Sequence, residues 1–459
     1  MYEVVIVGGG IAGLAAALRI ERAAADARVT VLEAGSRLGG KIVTAREQGY
    51  IVEGGPDSFL TSKPRGLGLC RELGIESRLI GTNEAKRRTF VMRAGRLHPM
   101  PEGLSGLVPA RLEPLLASDI FSPEGKVRLR HEPDVPPRES DGDETLGSFM
   151  RRRFGAEAYE RLIEPLMAGI YAGNGDELSL NATFPQLRAL ERAHGSVIRG
   201  IQAADARRAA GSPFVSFPIG MSELVEAITA RFRRVRTLLR AEVRSIRRRG
   251  ADVEVTHADG AVRAQSVILA TPAFESARLL EHVAPDAAAA LAEISYASTA
   301  TVSLAYSAVV LPRPLDGFGY VIPRAEGHAA LACTWTSSKF PSRAPAGSAL
   351  LRVFLGRAGR DEITAADDEE LLALARRELC DTLGIATKPL LTWLDRWPRG
   401  MPQYTLGHLE RLQRIESALP ETSGIHLAGA LRGVGIPDCI ASGESAGDAI
   451  LQRNIRPTS

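Results

Sequence analysis

Gly8-Gly9-Gly10-Ile11-Ala12-Gly13 stands directly behind the apolar run Val4-Val5-Ile6-Val7, and Leu14, Ala15 and Leu18 continue from Ile11 at helical spacing. The order is strand, glycine turn, helix. Gly8 permits a tight turn, Gly10 lets the backbone approach a pyrophosphate, and Gly13 lets helix and strand lie close together, while free N–H groups at the helix start face the anion. A second apolar run, Arg28 to Leu32, ends in Glu33, twenty residues past Gly13, where a carboxylate accepts hydrogen bonds from a ribose hydroxyl and repels a 2′-phosphate. The constellation implies a bound dinucleotide.

Behind Glu33 come Arg37, the pair Gly39-Gly40 and Lys41, a flexible glycine pair between two cations suited to a second face of the pyrophosphate. This stretch resembles the extended fingerprint of FAD enzymes of the glutathione-reductase-like, amine-oxidase-like group. Glu53-Gly54-Gly55-Pro56-Asp57-Ser58 is similar to that group's loop under the isoalloxazine. Far along the chain, Ile425 to Ala430 reads as a strand entering a turn at Gly429, and Gly433-Val434-Gly435-Ile436 opens a helix whose positive end suits a reduced flavin. The resemblance implies noncovalent FAD held by Gly8, Gly9, Gly10, Ile11, Ala12, Gly13, Glu33, Arg37, Gly40, Lys41, Gly55, Pro56, Asp57 and Ser58. It adds Val243 against adenine, and Trp397, Gly429, Val434, Gly435 and Ile436 around the ring. Gly317-Phe318-Gly319 lacks a third glycine, so no second nucleotide domain is expected.

Ala168-Gly169-Ile170-Tyr171-Ala172-Gly173-Asn174, Pro402-Gln403-Tyr404-Thr405-Leu406-Gly407-His408 and Gly435-Ile436-Pro437-Asp438-Cys439-Ile440 resemble protoporphyrinogen and coproporphyrinogen oxidases of haem synthesis, a likeness that spans essentially the whole chain. It implies FAD-dependent oxidation of a tetrapyrrole, a porphyrinogen, to the porphyrin, with oxygen as acceptor and peroxide released. It also implies that Arg88 binds a propionate and that Ala168, Gly169, Ile170, Tyr171, Ala172 and Gly173 face the ring system. No side chain is singled out as a catalytic acid or base, because hydride transfer needs position above all. Lys41 stands where some relatives carry a bulky tryptophan, and Asp57 where some carry arginine, which puts a role for position 57 in doubt.

Two other chemistries compete. A flavin amine oxidase places a lysine near the flavin, and between Lys126 and Lys388 the chain has only Lys339. A carotenoid desaturase would carry a different glycine-rich ending from Gly433 to Ile440.

The elements that must position these residues are expected to form an α/β (mixed α+β) protein: a Rossmann-like FAD-binding domain, an antiparallel-sheet substrate domain and an inserted helical domain. The 459 residues supply material for this. The cofactor unit is expected from 1–85, 212–285 and 400–459, the helical unit from 86–211 and the sheet unit from 286–399. Within the helical unit, Glu132 to Asp143 carries Pro133, Pro136 and Pro137 and reads as a mobile loop. Ser222 is expected to cap a helix with Leu224, Val225 and Ile228 on one face.

Composition narrows the partners. Lys and Arg number 57 against 54 Asp and Glu, a net +3 too balanced for nucleic acid. Cys70, Cys333, Cys380 and Cys439 are too scattered for zinc or dithiol spacing, so no metal is expected. No signal segment or membrane span is evident, which points to the cytoplasm; apolar residues in Leu104 to Leu116 leave peripheral membrane contact open. Contacts with other haem-pathway enzymes and the oligomeric state are open.

Overall fold

Val4, Val5, Ile6 and Val7 are all buried, and a strand buried on both faces belongs inside a parallel sheet. A computed structural model, which describes residues 2–140, 142–205, 212–420 and 423–455, places it there. Five parallel strands run in the order Arg236–Leu238, Ala27–Leu32, Tyr2–Val7, Ser266–Leu269, Ile425–Leu427. Strands from both ends of the chain therefore share one sheet. The helix Ile436–Ile455 lies along Ile11–Ala23, and a Cβ on Gly443 would stand only 2.0 Å from the Ala12 carbonyl oxygen, so glycine sets how closely the two helices cross. An antiparallel ribbon, Val243–Arg249, Asp252–His257 and Gly260–Ala264, buries alternate residues such as Val253 and Val255 in the same core as Val267 and Leu269.

The second layer is a seven-stranded sheet in the order Leu391–Pro402, Tyr296–Ser307, Ser348–Leu355, Ala330–Thr334, Gly319–Val321, Thr89–Arg93, Arg96–Pro99. Thr89 to Pro99 lies within the span expected to be helical. It pairs instead on to this sheet, Thr89–Arg93 running parallel to Gly319–Val321, an arrangement that no local pattern announces because its partner is more than two hundred residues away. The sheet is thus mixed, although most of its pairs are antiparallel.

A helical unit runs from Leu112–Ala117 to Val197–Asp205 around Leu129, Phe149, Met150, Phe154 and Leu162. Thr145 caps Leu146–Phe154 by accepting from the Ser148 amide at 3.1 Å. Of the apolar stretch Leu104 to Leu116, Leu107, Val108 and Leu115 are buried in this core, and Leu104, Leu112 and Leu116 pack against it partly buried. Among the described residues no helix is long and apolar enough to cross a membrane.

Two local expectations change. Glu132, placed in a mobile loop, is fully buried; Asp143, at the other end of that loop, accepts from the Ser179 hydroxyl and the Asn181 amide, while Asp141 lies outside the described residues. Pro133 sits inside a single 3-10 turn, Glu132–Asp134, and Glu132 is buried by the Arg153 guanidinium that it meets. Ser222 is the first residue of the helix Ser222–Thr229 rather than its cap, and its amide donates to Thr44 Oγ1 at 3.0 Å. Leu224, Val225 and Ile228 are buried together as expected.

Candidate functional site: a cradle continuous with an apolar compartment

The glycine turn sits at the carboxyl end of Tyr2–Val7, where ligands of open parallel sheets bind. A Cβ on Gly13 would fall 2.1 Å from the Gly8 carbonyl oxygen, so the helix can start this close only with glycine. Glu33 receives the Gly9 amide at 2.8 Å and the Gly35 amide at 2.7 Å, tying the end of the second strand to the turn. The second glycine pair is laid over the first. The Gly39 amide donates to the Gly9 carbonyl at 2.8 Å, and Arg37 donates to the carbonyls of Leu38, Gly40 and Ile42.

These loops open on a cavity of about 870 Å³. At one end Gly8, Gly10, Ile11, Ala12, Glu33 and Val243 line it. Gly40, Lys41, Gly55, Pro56, Ser58 and Trp397 line its middle, with Gly429, Val434, Gly435 and Ile436 at the start of the last helix. Ala168, Gly169, Ile170 and Ala172 form the far wall with Leu331 and Phe354. The helix Glu164–Tyr171 ends against Ala172, a left-handed residue at φ 48° that lets the chain turn away while Gly169 and Ile170 stay at the cavity. Ile170 is 42% exposed, an apolar side chain at an opening.

Other expected residues stand behind the wall. Gly9, Gly13 and Arg37 build the loops from beneath. Tyr171 is buried against the rings of Phe184 and Tyr404, and Gly173 lies against Gln403 and Leu178. Asp57 turns from the cavity to Lys339, with Nζ to Oδ2 at 2.8 Å. Burial alone would raise the Asp57 carboxyl, but the Lys339 charge and hydrogen bond, the Ser58 hydroxyl and Arg352 together hold it down to about 2. Arg88, expected to bind a propionate, stands outside this lining: its side chain is 71% exposed and pairs with Asp316 at 3.1 Å. It immediately precedes the strand Thr89–Arg93, which lies one strand in from the sheet edge.

The Asp57–Lys339 pair carries a testable consequence. A carboxyl whose folded value is depressed stabilises the fold above its unfolded value near 4 and loses that contribution as pH falls toward 2. Lys339→Met is therefore expected to lower stability by ~2 kcal/mol at neutral pH, with the gap to the unaltered protein closing between about pH 4 and pH 2. Urea unfolding across that range measures it; a gap independent of pH assigns the loss to packing.

Sequence reasoning missed Arg352, Leu331 and Phe354. Arg352 carried a signal, a lone cation inside Ser348-Ala349-Leu350-Leu351-Arg352-Val353-Phe354-Leu355. Its Nη2 donates to the Gly54 carbonyl at 2.9 Å, which also receives Trp397 Nε1 at 2.9 Å and Thr301 Oγ1 at 3.2 Å. Enclosure in the cavity pushes the Lys41 ammonium below the usual lysine range.

The cavity's two ends suit different chemistry. One offers glycine backbone, a helix start and a carboxylate to an anionic dinucleotide; the other offers apolar walls to a bulky substrate. The fit to FAD rests on features with no other use: backbone open at Gly10 and Gly429, where a Cβ would meet nothing within 3.9 Å and 4 Å, Lys41 reaching into the space, and a second helix start at Ile436.

A family model for flavin containing amine oxidoreductases matches residues 11–451. The chain is 36% identical to the coproporphyrinogen III oxidase of Bacillus subtilis (strain 168), covering 97% of each chain. It is 33% identical to protoporphyrinogen oxidase 1, chloroplastic, of Arabidopsis thaliana, over 95% of this chain and 86% of that one. A crystal structure from Exiguobacterium sp. 255-15, described as a protoporphyrinogen oxidase, superposes with TM-score 0.89 at 34% identity, covering 98% of this chain and 99% of that one. FAD is the cofactor that the cradle holds. The chain belongs to the family of flavin containing amine oxidoreductases, and its full-length relatives include these porphyrinogen oxidases.

Proposed function

We propose that this protein oxidises a porphyrinogen to its porphyrin in haem biosynthesis, with coproporphyrinogen III as its preferred substrate and oxygen as the acceptor. The observation that carries the reading is the single cavity in which the FAD cradle runs without a partition into a compartment walled by Ala168, Ile170, Leu331 and Phe354. A flat, largely apolar macrocycle suits such walls. Full-length similarity to the bacterial coproporphyrinogen III oxidase supports the preferred substrate.

FAD, when bound, supplies the acceptor for a hydride from a saturated carbon of the macrocycle. The chain's part is to hold that carbon in line, keep water away through the apolar wall, and anchor the cofactor through the Gly8–Gly13 turn. Asp57 is committed to Lys339, so it is not offered as a base. Lys339, the one lysine that suited an amine oxidase, is bound to Asp57 and does not line the cavity, which weighs against amine chemistry. Residues 1–85, 212–285 and 400–459 are proposed as the cofactor unit, 100–211 as the helical unit and 286–399 with the hairpin at 89–99 as the sheet unit.

Purified protein should be yellow and turn colourless coproporphyrinogen III into fluorescent coproporphyrin faster than it turns over protoporphyrinogen IX, with oxygen consumed and peroxide formed. Both substrates are supplied side by side and read by porphyrin fluorescence and an oxygen electrode. Reaction with benzylamine or polyamines and with neither porphyrinogen sinks the proposal.

A further inference from the structure

Three arginines of the sheet unit are buried, and two of them have carboxylate partners. Arg343 pairs with Glu53 at 3.0 Å and Arg357 with Glu164 at 3.6 Å. Arg352, only 5% exposed, forms no ion pair among the described residues. Its Nη2 donates to the Gly54 carbonyl, its Nε has no acceptor, and its guanidinium carbon lies 4.7 Å over the ring of Phe354, two residues along on the same strand face. A guanidinium taken out of water with most of its donors unused is costly to keep, and such a group at a cavity wall is a candidate for function.

The place matters as much as the missing partner. Arg352 lines the cavity beside Gly54 and Gly55, next to Trp397, and faces the compartment rather than bulk water. Burial pushes the Arg352 guanidinium below its usual range, while Asp57, Glu53 and Asp395, none of which pairs with it, lie near enough to favour its charged form in part. The guanidinium is therefore a positive charge held in place at the cavity wall, able to act on a charge that appears only during reaction.

We propose that Arg352 is a charge-stabilising residue of the redox step, its free donors compensating the negative charge that the flavin ring gains when it accepts hydride. A carbon–hydrogen bond of the substrate breaks, both electrons leave with the hydrogen, the ring is reduced by that electron pair, and a pyrrole N–H proton of the substrate passes to solvent. The substrate half of this statement rests on the porphyrinogen reading. The charge half does not, because the ring gains the same negative charge from any reductant.

The test uses full-length protein loaded with FAD. In Arg352→Met, FAD is expected to stay bound at full stoichiometry, its midpoint potential to fall, and kcat to drop about 100-fold with KM within about twofold of the unaltered value. Arg352→Lys is expected to restore the potential and most of kcat, whereas Arg352→Gln, which keeps donors without charge, should behave as the methionine variant does and serves if that one does not fold. An unchanged potential in both neutral variants overturns the proposal. So does a raised KM with kcat preserved, the mark of a substrate-carboxylate anchor, or equal loss of FAD from the lysine and neutral variants, the mark of a mere support for Gly54. If porphyrinogens do not react at all, the substrate reading fails while the potential measurement still judges Arg352.

Discussion

Gly13→Ala is expected to give folded protein that binds FAD about 10- to 100-fold more weakly. The new Cβ would stand 2.1 Å from the Gly8 carbonyl oxygen, with Ile6 and Ala270 side chains at 3.2 and 3.3 Å on its other sides. Neither neighbour is the free end of a long side chain, so the helix start must move away from the strand. Overpacking of this kind costs typically 1–3 kcal/mol, and here the displacement falls on the amides that face the cofactor's pyrophosphate. FAD affinity should therefore drop about 10- to 100-fold, since each 1.4 kcal/mol is a factor of ten. Titration of apoprotein with FAD, followed by flavin fluorescence, measures the loss, and far-UV circular dichroism confirms that the fold persists. Unchanged affinity in a folded variant would mean that the pyrophosphate does not sit at this helix start.

The same glycines explain why the cofactor end of the site is legible in the amino-acid sequence. The turn at Gly8–Gly13, its flanking strand and helix, and Glu33 lie within about thirty consecutive residues, so local spacing carries their geometry. The start of the last helix is legible for the same reason. What escapes depends on distant partners. Thr89–Arg93 becomes a sheet strand only because Gly319–Val321 lies beside it, and Arg88 stands at its start, outside the cavity lining. Asp57 reads as a cavity residue by position, yet its carboxylate answers to Lys339, 282 residues away. Arg352 is the reverse case: one charge in a strand otherwise apolar but for Ser348 contradicts burial, and such a contradiction points to a site even when no motif does.

Glu132 shows the same logic in the helical unit, where the expected stability effect is largest. Its carboxylate and the Arg153 guanidinium are both 0% exposed; Arg153 Nε donates to Glu132 Oε1 at 2.7 Å, and Glu132 also accepts from the Ser196 hydroxyl and from the Val197 amide at 3.0 Å. Arg153→Met leaves that carboxylate buried without its cation and should lower unfolding free energy by about 3–5 kcal/mol. Glu132→Gln in the same chain removes the stranded charge while keeping an oxygen for the Val197 amide, so the double variant is expected to recover more than half of the loss. Urea unfolding of the single and double variants decides it: a double variant no more stable than Arg153→Met would place the cost in packing instead of charge. The consequence reaches the site, because Phe149, Phe154, Met167 and Tyr171 share one core, and Glu164–Tyr171 is the helix whose end forms the cavity wall. Loosening the ion pair should therefore raise KM for a bulky substrate while FAD affinity, set by loops in the other unit, stays as it was.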